Sequence, residues 1–379
     1  GQEPSFYIGA PVPGLGANAA IGTGKHFVIE ADESDGTMSE FTPGNLVVLN
    51  IEPEHLDFYE NLAAIERAFE ALARSATGRV IYCADNPGAV RIGKLTPGAV
   101  AWSVEGASAE WRADRMRADA DGTRFEVGRG GHLLGEVTLQ IPGRHNVSNA
   151  LAALAVTLEA GVTFDAAAAA LALFTGAQRR FERLFESDSF LLVDDYAHHP
   201  SEVRATLEAA RQRARGRVVA VFQPHRYSRT RAFHADFGAA LHGADHVFLT
   251  EVYASSETPI EGVDGRLIQQ SLLAQPGRLA ESVIYEPDLR QLKDRVGREI
   301  RAGDLVLVMG AGNIHQISRR LAAELRVDEE LRALTGPATR LVRYEPMSKR
   351  TSLRVGGVAA LWAEPADEEN LGKLLRHCH

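Results

Sequence analysis

The sequence predicts an α/β protein of two consecutive, mostly parallel doubly wound domains, with the opening of an α+β domain behind them. Three observations carry this expectation. Short apolar runs recur that are unbroken rather than alternating, as in strands buried on both faces of a parallel sheet. Helical stretches separate these runs, so strand and helix alternate along the chain. Charged and polar clusters directly follow the runs, where open α/β sheets bind their ligands.

In chain order the runs cover 27–31, 46–51, 80–83, 191–195, 218–222, 247–250 and 305–309. Helices are expected over 62–74, 202–214, 231–242 and 314–325. An Ala-rich stretch, 149–174, breaks the rhythm, with two helical runs meeting at the turn signal Ala160, Gly161, Val162. Its poly-alanine, 166–170, reads as close helix packing, because Leu171, Leu173 and Phe174 continue an apolar face. The strands before and after this stretch belong to separate sheets, which places a first domain over 1–182 and a second over 183–326. A charged connector, 327–340, contains Gly336 and Pro337. Residues 341–379 then open a new domain that is too short to bury a core alone.

The 379 residues are enough for two or three domains. With 45% hydrophobic and 24% charged residues, the composition is that of an ordinary globular protein. The net charge of −9 disfavours nucleic acid or an anionic membrane as the main partner, since both require a basic surface. An anionic substrate is compatible with it, given a local basic cluster. Cys83 and Cys378 lie far apart and in no metal-ligand spacing, which fits a reducing cytoplasm without disulfides. No run approaches the length of a membrane span and no signal-peptide pattern opens the chain, so no membrane insertion is expected.

The segment EADESD (30–35) ends the first run, and NIEPEHLD (50–57) ends the second. A carboxylate and a neutral imidazole from these two segments suit a divalent cation that also holds nucleotide phosphates. Magnesium takes only one or two protein ligands and fills its shell with water and phosphate. The alternative is solvated loop acids and helix caps, with His55 structural. Gly22, Thr23, Gly24 and Lys25 mimic a phosphate loop, but His26 follows the lysine and a strand follows the segment, so this is a decoy.

Pro142 to Asn149 precedes the Ala-rich helix. His145, Asn146 and Asn149 can hydrogen-bond a nucleobase or ribose edge; alternatively Asn146 or Ser148 caps the helix amides. DDYAHHP (194–200) ends another run, and geometry at a helix start disfavours His198 and His199 sharing one metal ion. FQPHRYSRT (222–230) ends the next, with Arg226 and Arg229 one helical turn apart. Arginine forks suit carboxylate and phosphate; a basic surface turn is the other reading. Gly310, Ala311, Gly312 and Asn313 lack the third glycine of a dinucleotide fingerprint.

Taken together, EADESD, NIEPEH, the GRHN..N segment, DDYAHHP and FQPHRYSRT resemble the Mur ligase family, most closely its L-alanine-adding branch, across nearly all of 1–326. The match departs at Glu54 and Asn313, where aspartate is usual in the family. The resemblance implies ATP-dependent formation of an amide bond between the carboxylate of UDP-N-acetylmuramate and L-alanine through an acyl phosphate. That reaction belongs to cytoplasmic peptidoglycan precursor synthesis. It also implies magnesium held by Glu30 and His55, with Glu33 as a second candidate carboxylate. His145, Asn146 and Asn149 would contact the adenine end of ATP, with Arg180 and Tyr196 beside the nucleotide. His198, Arg226 and Arg229 would contact the muramoyl carboxylate, the amino acid or the transferring phosphoryl group.

The family carries a Gly-rich loop ending in Gly-Lys-Thr, and this chain contains none. The expectation is that the loop and a uridine-nucleotide domain precede Gly1 in a longer protein. Residues 1–182 are then a P-loop-type ATPase core lacking its loop, 183–326 a Rossmann-like domain, and the chain alone does not turn over. Two alternatives stand beside this: a ligase that returns a murein tripeptide to the same sugar nucleotide, and a non-catalytic nucleotide-binding remnant. The tail resembles the start of the UDP-N-acetylenolpyruvoylglucosamine reductase family at TSLRVGG (351–357) and at Glu364 and Pro365. It implies a ligase–reductase fusion, with FAD as a cofactor only where that domain is complete, and it assigns no flavin contact. His377, Cys378 and His379 are not read as a metal site.

Overall fold

The computed structural model describes residues 2–55, 58–119, 122–277 and 282–378. Leu56 and Asp57 of the second acidic segment, and His379 of the terminal His-Cys-His, lie outside the described residues. The chain forms two compact units, Gly1–Gln178 and Arg179–His379.

The first unit opens with β1 (Ser5–Val12), β2 (Ala17–Ala20) and β3 (Phe27–Ile29). They form a three-stranded sheet in which β1 runs antiparallel to β2 and parallel to β3. The run at 27–31, expected to be buried on both faces, is in fact open: Phe27 is 63% and Val28 53% exposed. An apolar run signals burial only where a second layer covers the strand, and the run itself does not encode that layer. Gly22 and Gly24 of the decoy sit against the N-terminal backbone, where a β-carbon would stand 2.1 Å from the Glu3 carbonyl oxygen and 1.9 Å from that of Gln2. Their glycines serve this close approach.

A six-stranded sheet follows. Its parallel part comprises β4 (Leu46–Val48), α1 (Leu62–Ser75), β5 (Val80–Cys83), α2 (Pro87–Leu95) and β6 (Val100–Ser103). Asn61 and Asn86 cap the two helices by accepting from Ala64 N and Ala89 N, and Pro87 takes the first position of α2, where its missing N–H costs nothing. β7 (Trp111–Asp119) joins in parallel, and β8 (Gly122–Arg129) and β9 (His132–Leu139) complete an antiparallel meander. The expectation of doubly wound strands passed over this meander because its strands mix polar with apolar positions. Gly130 and Gly131, both at positive φ, were its signal, a two-glycine hairpin turn. Trp102 and Trp111 pair across β6 and β7 and are fully buried with Phe125, Leu151 and Leu154. α3 (Arg144–Glu159) and α4 (Phe164–Leu173) meet at Gly161, φ 86°, as the turn signal predicted. The apolar face of α4 stops short of expectation, since Leu173 is 78% exposed.

In the second unit the elements are β10 (Glu182–Glu186), β11 (Phe190–Asp195), α5 (Pro200–Arg213), β12 (Val218–Phe222), α6 (Tyr227–Leu241), β13 (His246–Leu249), α7 (Gly265–Leu273), β14 (Ser282–Tyr285), α8 (Leu289–Glu299), β15 (Asp304–Met309) and α9 (His315–Thr335). The sheet order is β10-β11-β15-β12-β13-β14, parallel except at the β10 edge. Here the unbroken runs mean what they predicted. Val218, Ala220 and Phe222 pack on one face with Val203, Leu207, Phe237 and Ile268. Val219 and Val221 pack on the other with Leu292, Val296, Ile317 and Leu321. Period-two geometry turns alternate side chains to opposite faces, and both faces are covered by helices.

The segment expected as a connector, 327–340, is helical as far as Thr335. Leu325, Asp328, Leu331 and Thr335 recur at helical spacing along one buried face, and that stripe outweighs the surrounding charge. Gly336 at φ 71° ends the helix. β16 (Arg340–Pro346) and β17 (Val358–Glu364) then pair antiparallel, followed by α10 (Glu368–Cys378). Leu341 and Leu374 pack with Leu331 of α9. Among the described residues no helix is long and apolar enough to cross a membrane.

Candidate functional site

In the first unit, potential ligand atoms of Glu33, Glu54 and His55 lie within 4.8 Å of one another, the one such group found among the described residues. The His55 Nε2 is 3.2 Å from a Glu33 oxygen. His55 itself has φ 51°, a strained value for a side-chain-bearing residue. Tyr59 fixes the first loop by donating its hydroxyl to the Glu33 carbonyl at 2.9 Å. Burial, then the Glu33, Asp35 and Asp32 carboxylates, push the Tyr59 hydroxyl pKa up, so it stays a donor. Glu30 stands outside this group, and its carboxylate accepts from Gly9 N at 2.7 Å. Two carboxylates and an imidazole are a donor set that fits a divalent cation.

His145 and Asn149 are exposed near the start of α3, and Asn146 is half-buried. Neither alternative capping role holds. The N-cap is Gly143 at φ 101°, without a side-chain bond. The Asn146 amide donates back to the Pro142 carbonyl at 2.7 Å, and the Ser148 hydroxyl accepts from the Trp102 indole at 2.9 Å.

The second unit gathers more. The Tyr196 ring lies under two guanidiniums, Arg179 at 4.9 Å and Arg180 at 5.5 Å. Arg179 also reaches Asp194 at 3.3 Å and the Gly310 carbonyl, joining the ends of β11 and β15. Asp194 is fully buried, and burial raises its pKa although Arg179 opposes the rise. Asp195 accepts from Phe181 N at 2.7 Å and Ala197 N at 2.8 Å; burial still pushes its pKa up to about 6.

Glu202, in the first turn of α5, accepts from His198 N at 2.9 Å and His199 N at 3.2 Å, and its carboxylate lies 3.2 Å from the His198 ring. Burial would raise its pKa, but His198 and Arg180 outweigh burial and hold it well below the usual carboxylate range. His199 turns away, edge-on to Phe233 and bonded to Ser201 at 2.8 Å.

The His198 and His225 rings meet edge-on at 5.6 Å, and His225 stacks on Tyr253. Arg229 Nη1 is 3.5 Å from His225 Nδ1. Burial, then the charges of His198, Arg229 and Arg226, lower the His225 pKa to about 4. Arg226 is the N-cap of α6 at φ 66° and ψ 137°, a conformation that costs on the order of 1–3 kcal/mol for such a residue. Gln223 donates to Asn313 at 3.0 Å and accepts from Ile314 N at 3.1 Å, tying the β12 and β15 loops. A β-carbon at Gly312 would stand 2.5 Å from the Gln223 amide oxygen, so this turn needs glycine for packing, not as a dinucleotide fingerprint.

The structure thus brings Tyr196 and Arg180 together in one group, and His198 with Arg229 around His225 in the next. Glu202, Gln223 and His225 were given no role from the sequence, Glu54 was noted only as a departure from the family pattern, and Arg179 adjoins the named Arg180. Glu54, Gln223 and His225 lie inside the quoted motifs, and Glu202 and His225 sit one helical turn from His198 and Arg229, whereas Arg179 and Gln223 act through Asp194 and Asn313, 15 and 90 positions away.

Residues 12–157 match the Mur ligase middle domain and residues 179–312 the Mur ligase, glutamate ligase domain. The chain belongs to the Mur ligase family. It is 46% identical over 318 residues to the UDP-N-acetylmuramate–L-alanine ligase of Gloeobacter violaceus, covering 84% of this chain and 67% of that protein. With the enzyme of the same name from Syntrophotalea carbinolica it is 39% identical, covering 86% and 71%. The crystal structure of a UDP-N-acetylmuramate–alanine ligase from Thermotoga maritima superposes with a TM-score of 0.72 at 29% identity, covering 86% and 70%.

Proposed function

We propose that the chain belongs to an ATP-dependent ligase that joins L-alanine to UDP-N-acetylmuramate in peptidoglycan precursor synthesis. Relatives of that name at 39–46% identity over most of the chain support the reading. The observation that carries it structurally is the grouping of Arg229 and Arg226 with a neutral His225 at the start of α6. A free carboxylate does not condense with an amine at neutral pH. A carboxylate oxygen of the sugar nucleotide attacks the γ-phosphorus and ADP leaves; the alanine amine then attacks the acyl carbon, and phosphate and a proton depart.

In this reading Arg226 and Arg229 receive carboxylate or phosphoryl oxygens and offset their charge as it redistributes. His198, held by Glu202, orients beside them. Tyr196, with Arg180, offers a flat face and a cation to the nucleotide, and His145, Asn146 and Asn149 offer donors to its adenine end. Glu33, Glu54 and His55, or Glu30 with His55, would hold magnesium, which neutralises phosphate charge when bound. The domains follow as 1–182 for nucleotide and 183–326 for the amino-acid end. Reading 341–379 as the start of a flavoprotein reductase rests on the 351–357 and 364–365 pattern alone.

The test is phosphate release by the complete gene product with ATP, magnesium and UDP-N-acetylmuramate, comparing L-alanine with murein tripeptide. Alanine-dependent release is expected. Release with tripeptide alone, or with neither, overturns the proposal.

A further inference from the structure

The strained Arg226 needs something to hold it, and the loop after β13 provides it. Arg226 N donates to the Tyr253 carbonyl at 2.9 Å, and Tyr253 N donates to the Pro224 carbonyl at 2.8 Å, so Tyr253 brackets the residue from behind. The Tyr253 ring stacks on His225 with an interplanar angle of 11°. In front, Glu257 takes both donors of Ser228, the N–H at 2.9 Å and the hydroxyl. Ser228 is the second residue of α6, and the N-cap Arg226 makes no side-chain cap bond. Glu257 therefore does from a neighbouring loop what an N-cap side chain normally does, and its negative charge also suits the positive helix end. The loop is itself anchored, since Glu251 at its start accepts from Tyr285 at 2.7 Å and from Val252 N at 2.7 Å.

A residue at unfavourable φ and ψ keeps that shape only while its surroundings over-determine it. With Glu257 removed, the first turn of α6 loses its cap, and although Arg226 N still bonds the Tyr253 carbonyl, Arg226 is held less firmly against relaxation toward ordinary backbone angles. Its guanidinium is then held less firmly near His225, whose pKa its charge lowers. We infer that Glu257 is a positioning residue, acting through Ser228 to aim Arg226 at the amino-acid substrate. The inference rests on the ligase reading above.

The experiment uses the complete gene product and the assay above. Glu257→Ala is expected to raise the KM for L-alanine about tenfold while leaving the KM for ATP within about twofold. Glu257→Gln keeps an acceptor oxygen and is expected to recover most of the loss. In an Arg226→Ala background, Glu257→Ala is expected to add nothing further to the alanine KM, because the two act as one unit. Equal losses for alanine and ATP, or full additivity with Arg226→Ala, overturn the inference. Should Glu257→Ala fail to fold, Ser228→Ala decides: it deletes only the hydroxyl bond, and an unchanged alanine KM would count against the inference. A wild-type protein without alanine-dependent release defeats the ligase reading instead, so the two failures are distinguishable.

Discussion

Gly297 in the middle of α8 and the ring of Tyr344 in β16 compete for one space: a β-carbon at 297 would stand 2.0 Å from two ring carbons. Tyr344 is 3% exposed, its hydroxyl bonds Glu324 of α9, and the Lys293 ammonium lies 5.1 Å from its ring. The ββα tail is therefore seated on α8 and α9 through a residue that requires glycine opposite it. Gly297→Ala should cost on the order of 1–3 kcal/mol from overpacking, although alanine is otherwise the better helix former. In a Tyr344→Ala background the same change should become neutral or stabilising. Denaturant midpoints of the four proteins in the cycle check this, and an unchanged cost in the second background would refute the packing argument.

Arg179 neutralises Asp194, which has no exposure of its own. Arg179→Ala leaves that carboxylate buried without its guanidinium, a change that costs about 3–5 kcal/mol in comparable pairs. Adding Asp194→Asn should recover a substantial part, since no charge is then stranded. Chemical denaturation of the single and double variants is the measurement.

Asp195, with its pKa raised to about 6 from 3.8, makes stability depend on pH in a definite direction. The native state holds the proton more tightly than the unfolded chain, so this contribution is present below about pH 3.8 and lost as pH rises through about 6. The span corresponds to at most about 3 kcal/mol. Asp195→Asn should flatten this part of the profile. Melting temperatures between pH 4 and 7 for wild type and variant would expose a wrong sign.

Glu202 runs the other way. Its depressed pKa adds stability above the unfolded value of 4.5, and that stability is lost as pH falls below it. Glu202→Gln should therefore destabilise at pH 7 and converge on wild type in acid. A constant difference across pH would assign the effect to packing instead.

The metal ligands can be sorted by manganese titration followed by paramagnetic resonance. His55→Ala should weaken binding about tenfold or more, because it belongs to both candidate sets. A similar loss in Glu33→Gln assigns the carboxylate to the cluster with Glu54, and in Glu30→Gln to the end of β3.

The sequence by itself determined four strands of the second unit, β11, β12, β13 and β15, because their apolar runs suit strands covered on both faces, whereas β10 and β14 at the two edges of the sheet carried no such run. It also determined the turn at Gly161 and the order of the strand-end motifs, since chain punctuation and motif spacing are local properties. Tertiary structure alone decided the rest. Whether 27–31 is covered depends on a layer that the run does not contain. Whether 327–335 is helix or connector depends on Leu331 finding Leu341 and Leu374. The partnership of Arg179 with Asp194, and of Glu257 with Ser228, joins residues 15 and 29 positions apart. Such pairings arise from sheet order and loop placement, which set distances that no local pattern of residues records.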